Sequence, residues 1–68
     1  MINEQANELY EEAKALVIKR QIASVSMLQR YFRIGYMASA RMIDRMEEEG
    51  IVTEYNGATP RRVLVEHL

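Results

Sequence analysis

The chain contains no cysteine. Neither a disulfide framework nor a thiolate metal site is available to hold it together. Its single histidine, His67, stands next to the C-terminal residue, with no acid or nucleophile at a telling spacing. A histidine-based metal site or a catalytic pair has nothing to build on, and no metal, cofactor or catalytic residue is expected. No G-x-x-x-x-G-K-[ST] run occurs, so ATP hydrolysis cannot be assigned to this chain. No apolar stretch approaches the roughly 20 residues needed to cross a bilayer, and no basic-then-apolar leader opens the sequence. Basic amphipathic helices are absent too, so direct membrane contact is not expected. Proline occurs once, at Pro60, and glycine only at Gly35, Gly50 and Gly57. Chain breaks are therefore few, and each one carries information.

What is present suits a single small globular domain spanning residues 1–68. At 68 residues the chain is near the lower limit for folding alone. A hydrophobic fraction of 49% with 28% charged residues separates it from disordered sequences. The net charge of −1 is low for a nucleic-acid binder, but its distribution is uneven. Glu4, Glu8, Glu11 and Glu12 face only Lys14 in the first 18 residues. Lys19, Arg20, Arg30, Arg33, Arg41 and Arg45 then outweigh Asp44. Glu47, Glu48, Glu49 and Glu54 follow, and Arg61 and Arg62 stand against Glu66. Local charge, rather than the total, sets the field that a phosphate meets.

Apolar spacing predicts three helices. Ala6, Leu9, Tyr10, Ala13, Leu16 and Val17 recur at three and four residues, which predicts a helix over about Asn3 to Arg20. Ile22 to Val25 has the composition of a short strand. Ser26 with Gln29 forms a capping-box pattern for a second helix that turns Leu28, Tyr31 and Phe32 toward the core. Gly35 suits a tight turn. A third helix follows from about Tyr36 to Glu49 and stops at Gly50. Ala40, Ile43 and Met46 share its apolar stripe, with Tyr36, Met42 and Glu47 at the margins. Met37, Arg41, Asp44 and Glu48 form the opposite stripe, with Ala38 and Arg45 beside it. Ile51, Val52 and Tyr55 are then strand formers, as are Val63, Leu64 and Val65, and Asn56-Gly57 and Pro60 mark the connection. The expected fold is mainly α with a small β-hairpin. It is a winged helix-turn-helix of three helices plus a two- or three-stranded wing sheet, in which the third helix has the width to enter a DNA major groove.

Several blocks carry a more specific resemblance. Q-R-Y-F-R-I-G-Y at Gln29 to Tyr36, A-R-M-I-D-R-M-E at Ala40 to Glu47, G-I-V after it and P-R-R-V-L at Pro60 to Leu64 resemble the gamma domain at the C-terminus of FtsK/SpoIIIE DNA translocases. L-Y-E-E-A at Leu9 to Ala13 is similar to the start of that domain. The resemblance runs from about Leu9 to Val65. It implies a domain at the end of a larger, membrane-tethered hexameric motor that pumps chromosomal DNA at the division septum. The domain itself would lie in the cytoplasm. It would read short, G-rich, asymmetric sites on double-stranded DNA, with several copies on one site, and would orient the motor. In the FtsK branch it would also switch on a Xer-type tyrosine recombinase.

The family pattern carries over residue by residue. Its base-reading positions, a polar residue after Gly-Tyr, then an Arg, then an acid, fall on Met37, Arg41 and Asp44. Arg41 matches, and its forked donors suit guanine O6 and N7. Asp44 is shorter than the usual Glu, and either accepts from a cytosine amino group or holds Arg41. Met37 departs from the pattern, because a thioether cannot make an amide's paired contact with adenine. Ala38 replaces a common basic residue. Arg30, Arg33, Arg45, Arg61 and Arg62 are the candidate phosphate contacts. For Arg41 the bland alternative is a surface pair with Asp44 or Glu48, and for Asp44 a solvated helix charge. Two other functions stay open: a winged helix used for protein contact, such as docking on a recombinase, and the DNA-binding domain of a transcription regulator.

Overall fold

The computed structural model describes residues 2–55, 57 and 60–66, with side chains from residue 9 onward. The side chain of Ala6, the turn residue Asn56 and His67 lie outside the described residues. Three helices, α1 (Ile2–Arg20), α2 (Val25–Phe32) and α3 (Tyr36–Glu48), precede two extended arms that meet at one antiparallel bridge, Val52 with Val63. The fold is thus mainly helical, as the periodicity predicts. The arms contain no ladder longer than that bridge among the described residues.

α1 buries Tyr10, Ala13 and Val17, three residues at the predicted spacing, together with Ile18. Leu9 and Leu16 pack on the edge of this core. Lys19 and Arg20 occupy the last turn, where positive charge suits the helix dipole. Gln21 then takes a left-handed conformation (φ 58°). Its side-chain amide donates to Ile18 O at 2.7 Å and to Val65 O at 2.9 Å, which ties the end of α1 to the end of the second arm.

The start of α2 differs from the expected capping box. The cap is Ser24, whose extended backbone lets its Oγ accept from Met27 N at 3.1 Å. Ser26 lies inside the helix and its hydroxyl is 3.1 Å from that of Ser24. With the helix beginning at Val25, residues 22–24 serve as its lead-in and do not form the expected short strand. Leu28 and Met27 are buried and Phe32 partly so. Tyr31, expected in the core, is 56% exposed. It follows Met27 and Leu28 by one turn and lies on the rim of an open groove lined by Glu12, Ala15, Leu16 and Lys19 of α1. Its ring meets Phe32 edge-on, with centroids 4.9 Å apart, and Arg20 lies 5.5 Å from the centroid.

The turn between α2 and α3 also departs from expectation. The left-handed residue is Arg33 (φ 56°), the C-cap of α2, whereas Gly35 has an ordinary extended backbone (φ −74°, ψ 171°) and begins α3 as its N-cap. Arg33 and Ile34 both donate their N–H groups to Gln29 O, so the turn is held by backbone bonds.

α3 lies against both α1 and α2. Its buried stripe is Ala38, Ser39, Met42, Ile43 and Met46. Ala38 was expected beside the solvent stripe and is instead 1% exposed, while Ala40 is only partly buried. The helix is therefore turned so that the Ala38–Met42 row, four residues apart, shares the core with the Ser39–Ile43–Met46 row. Ser39 brings a hydroxyl into that core without cost in unpaired polarity, because its Oγ donates to Gly35 O at 3.1 Å. α3 ends as expected at Gly50. With φ 78°, Gly50 donates to Glu47 O, and Ile51 N reaches Met46 O at 2.8 Å, the double closure that favours glycine.

The expected wing strands shrink for an identifiable reason. On one side of the Val52–Val63 bridge, Leu64 N donates to Ile51 O at 2.7 Å, but Ile51 N is already committed to α3. On the other side, Thr53 N donates to Arg62 O at 2.9 Å. The return bond goes elsewhere: Arg62 N donates to Thr53 Oγ1 at 2.8 Å, and Thr53 O accepts from Arg61 Nη1 at 3.0 Å. Each flanking pair keeps one of its two ladder bonds, so pairing does not spread. Ile51 and Val52 are buried and complete the core.

Ile43 is 1% exposed at the centre of the α3 contact. Truncation to alanine is expected to cost about 2–5 kcal/mol, a large share of the stability of so small a domain. Denaturant melts of Ile43→Ala measure this, and a loss under about 0.5 kcal/mol would mean that Ile43 is not packed.

Candidate nucleic-acid interface

The face of α3 opposite its buried stripe presents Met37, Arg41, Asp44 and Glu48, all exposed. Met37 is 51% exposed. The helix brings Met37, Arg41 and Asp44 into one row because steps of four and three residues complete about one turn each. Among the described residues Arg41 makes no ion pair, so the expected alternative pairing with Asp44 or Glu48 is not formed. It is a cation held out to solvent between an apolar and an acidic neighbour.

The other candidate arginines fall into two groups. Arg30, in the last turn of α2, Arg33, at its cap, and Arg62, on the second arm, are exposed. Arg45 and Arg61 are engaged within the domain. The Arg45 guanidinium lies 4.0 Å from the Tyr10 ring centroid, and its Nε donates to Glu49 Oε2 at 3.2 Å. Arg61, with a side chain only 16% exposed, donates through Nη1 to Glu47 Oε1 at 2.9 Å, and its Nη2 lies 3.8 Å from Asp44 Oδ1. Two neighbouring arginines of the P-R-R block therefore have opposite environments.

Beside this face lies a cleft of about 470 Å³ lined by Ser24, Val25, Tyr36, Tyr55, Pro60 and Arg61, among others. Tyr36 and Tyr55 are 62% and 61% exposed. Sequence reasoning assigned Tyr36 to the core margin and Tyr55 to a strand. Tyr36 does share the stripe of Ile43, two turns on, but as the first residue of α3 it projects past the end of the core. Its place directly after the helix-starting Gly35 was the available signal. Among the described residues no three His, Asp or Glu side chains gather as a metal site requires, and no helix is long and apolar enough to cross a membrane.

The family model of the "Ftsk gamma domain" matches residues 4–66. The chain belongs to the FtsK gamma domain family. It is 57% identical over 63 residues to the DNA translocase SpoIIIE of Bacillus subtilis, a match covering 93% of this chain. It is 59% identical over 63 residues to the DNA translocase FtsK of Listeria monocytogenes, again covering 93% of this chain. For the DNA translocase FtsK of Halalkalibacterium halodurans the figure is 60% over 60 residues, or 88% of this chain. In each case the gamma domain spans only 8% of the relative's length. The translocase motor of those proteins lies outside the matched segment, in keeping with the absence of an ATP-binding loop here.

The gamma domain also holds a partly buried phenol–carboxylate contact away from its solvent stripe. Tyr10, 1% exposed, donates to Glu49 Oε1 at 2.6 Å and so joins α1 to the end of α3. Burial, and then the bond to Glu49, pushes the Tyr10 phenol above the ordinary tyrosine value. The Tyr10 hydroxyl, followed by Arg45, holds the Glu49 carboxyl below the ordinary glutamate value of 4.5. A carboxyl depressed in the folded state stabilises it above the unfolded value, and that contribution disappears as pH falls through the folded value. Tyr10→Phe is accordingly expected to destabilise the domain more at pH 7 than at pH 3. Paired thermal melts at the two pH values measure the difference, and an equal loss at both would remove Glu49 from the linkage.

Proposed function

We propose that this gamma domain binds double-stranded DNA sequence-selectively and so orients the translocase that carries it during chromosome segregation at cell division. The observation that carries the proposal is Arg41, free of ion pairs among the described residues, in the exposed row of α3. Membership of a family of DNA translocase domains supports it. Arg41 serves as the main base reader, directed at guanine O6 and N7. Asp44 accepts from a cytosine amino group or limits the freedom of Arg41. Met37 offers an apolar contact to a thymine methyl. Arg30, Arg33 and Arg62 supply phosphate contacts. The preferred site is short, G-rich and asymmetric, and several copies occupy it together. The domain works on the cytoplasmic side of a membrane-tethered parent.

Selection from random duplex DNA at physiological salt tests the reading. Enrichment of an asymmetric G-rich motif supports the orienting role. An inverted repeat would assign the domain to a transcription regulator instead. The second reading is protein contact, including activation of a Xer-type recombinase. It draws on the exposed Tyr31 and the neighbouring groove of about 300 Å³ lined by Glu12, Leu16, Lys19 and Phe32, among others. No enriched motif would favour that reading. Salt separates the two, because phosphate contacts weaken steeply as salt rises.

Arg41→Ala is expected to lose about 1–3 kcal/mol on the preferred duplex and much less on a random one. Arg41→Lys is expected to recover only part of the discrimination, since an ammonium lacks the planar fork. Titrations of both duplexes at one salt concentration report this, and equal losses would make Arg41 a phosphate contact. Arg62→Ala is expected to weaken all duplexes alike and to lower the salt slope by about one unit. An unchanged slope would take Arg62 out of the interface.

A further inference from the structure

The P-R-R block reads as a pair of phosphate-binding arginines, yet Arg61 is turned inward. Its guanidinium donates to two acceptors on two different elements and lies within ion-pair distance of a third group. Nη1 donates to Thr53 O on the first arm at 3.0 Å and to Glu47 on α3 at 2.9 Å. Nη2 lies 3.8 Å from Asp44, whose side chain is 69% exposed on the row that carries Arg41. Only 16% of the Arg61 side chain reaches solvent. The planar fork suits this arrangement, because its donors point along several fixed directions at once. A lysine ammonium keeps the charge but concentrates it at one point on a flexible stem.

Two consequences follow for α3. The last turns of α3 carry Asp44 and Glu48 on the exposed row and Glu47 beside it, and uncompensated carboxylates there would repel a phosphate backbone. Arg61 offsets two of them. It also stands within ion-pair distance of Asp44 while bonded to the arm that begins after Gly50, so the carboxylate beside Arg41 is electrostatically coupled to the base of that arm. We infer that Arg61 is a positioning residue for base reading: it sets the Asp44 carboxylate on the reading face and locks the wing to α3, without itself contacting DNA. This rests on the proposal that the exposed face of α3 reads duplex DNA.

The test is a double-substitution cycle on the 68-residue chain, using Arg61→Lys, Asp44→Asn and the pair together. Each protein is titrated with the duplex selected by the unaltered chain and with a scrambled duplex, at a temperature where melts show all four folded. The readout is the ratio of the two affinities. Partial unfolding lowers both affinities by the same factor and cancels in that ratio, so a purely structural role leaves it unmoved. Arg61→Lys is expected to reduce the ratio by about 5- to 20-fold, within the range of one good base contact, with little further change once Asp44→Asn is present. A ratio unchanged by Arg61→Lys overturns the inference. So does an equal effect of Arg61→Lys with and without Asp44→Asn. Should Arg61→Gln weaken both duplexes equally and lower the salt slope by about one unit, Arg61 is a phosphate contact and the positioning role fails. An unaltered chain with no preferred duplex overturns the DNA-reading proposal itself, and the positioning role with it.

Discussion

The burial of one stripe of α3 is the constraint on which the rest of this domain depends. Met42, Ile43 and Met46 are each 1% exposed or less, enclosed by the buried rows of α1 and α2. Fully burying side chains of this size is worth about 1.5–3 kcal/mol each, a substantial sum against the marginal stability of so short a chain. A helix with one row fixed in a core must present the opposite row to solvent. Packing therefore decides which residues of α3 are available to a partner. Exposure of Met37, Arg41 and Asp44 is a direct consequence of burying Ala38, Met42 and Ile43.

Electrostatics refine that surface. The low net charge of the chain conceals a sorting of its ions. Glu49 is held by Tyr10 and Arg45 on the α1 side of α3, while Glu47 and Asp44 meet Arg61 of the second arm. Most of the acidity at the end of α3 is thus countered within the domain. What remains at the centre of the exposed row is Arg41, with Arg30, Arg33 and Arg62 also facing solvent. A chain of net charge −1 can in this way leave several arginines exposed while most of the carboxylates at the end of α3 are paired. Two of these contacts also act as mechanical links, since Tyr10–Glu49 joins the end of α3 to α1 and Arg61–Glu47 joins it to the second arm.

The comparison of pattern with structure is instructive at particular residues. The core rows of α1 and the stop at Gly50 were legible because each follows from a local rule of helix spacing or capping. Ser24 rather than Ser26 caps α2, although only Ser26 has a Gln three residues on; Ser24 has the extended backbone that aims its hydroxyl at Met27 N. Arg33, not Gly35, takes the left-handed turn, at a position where steric preference would favour glycine. Tyr31 and Tyr36 lie on apolar stripes yet stand in solvent, Tyr31 at the rim of an open groove against α1 and Tyr36 as the first residue of α3. The wing was legible as two β-prone arms, but its length depended on where Thr53 and Ile51 spend their backbone bonds.

By itself the sequence determined the three helices, their order, the solvent-facing row with Arg41 and the kinship with the gamma domain family. All of these follow from residues close together in the chain or from motifs read in order. Only the tertiary structure decided which arginines are free and which are spent. Arg61 reaches Glu47 across 14 residues and Tyr10 reaches Glu49 across 39, so no local pattern records either contact. Both come into being when the buried stripe of α3 draws α1 and the second arm against it, because only then do opposite charges and hydroxyls come within bonding distance.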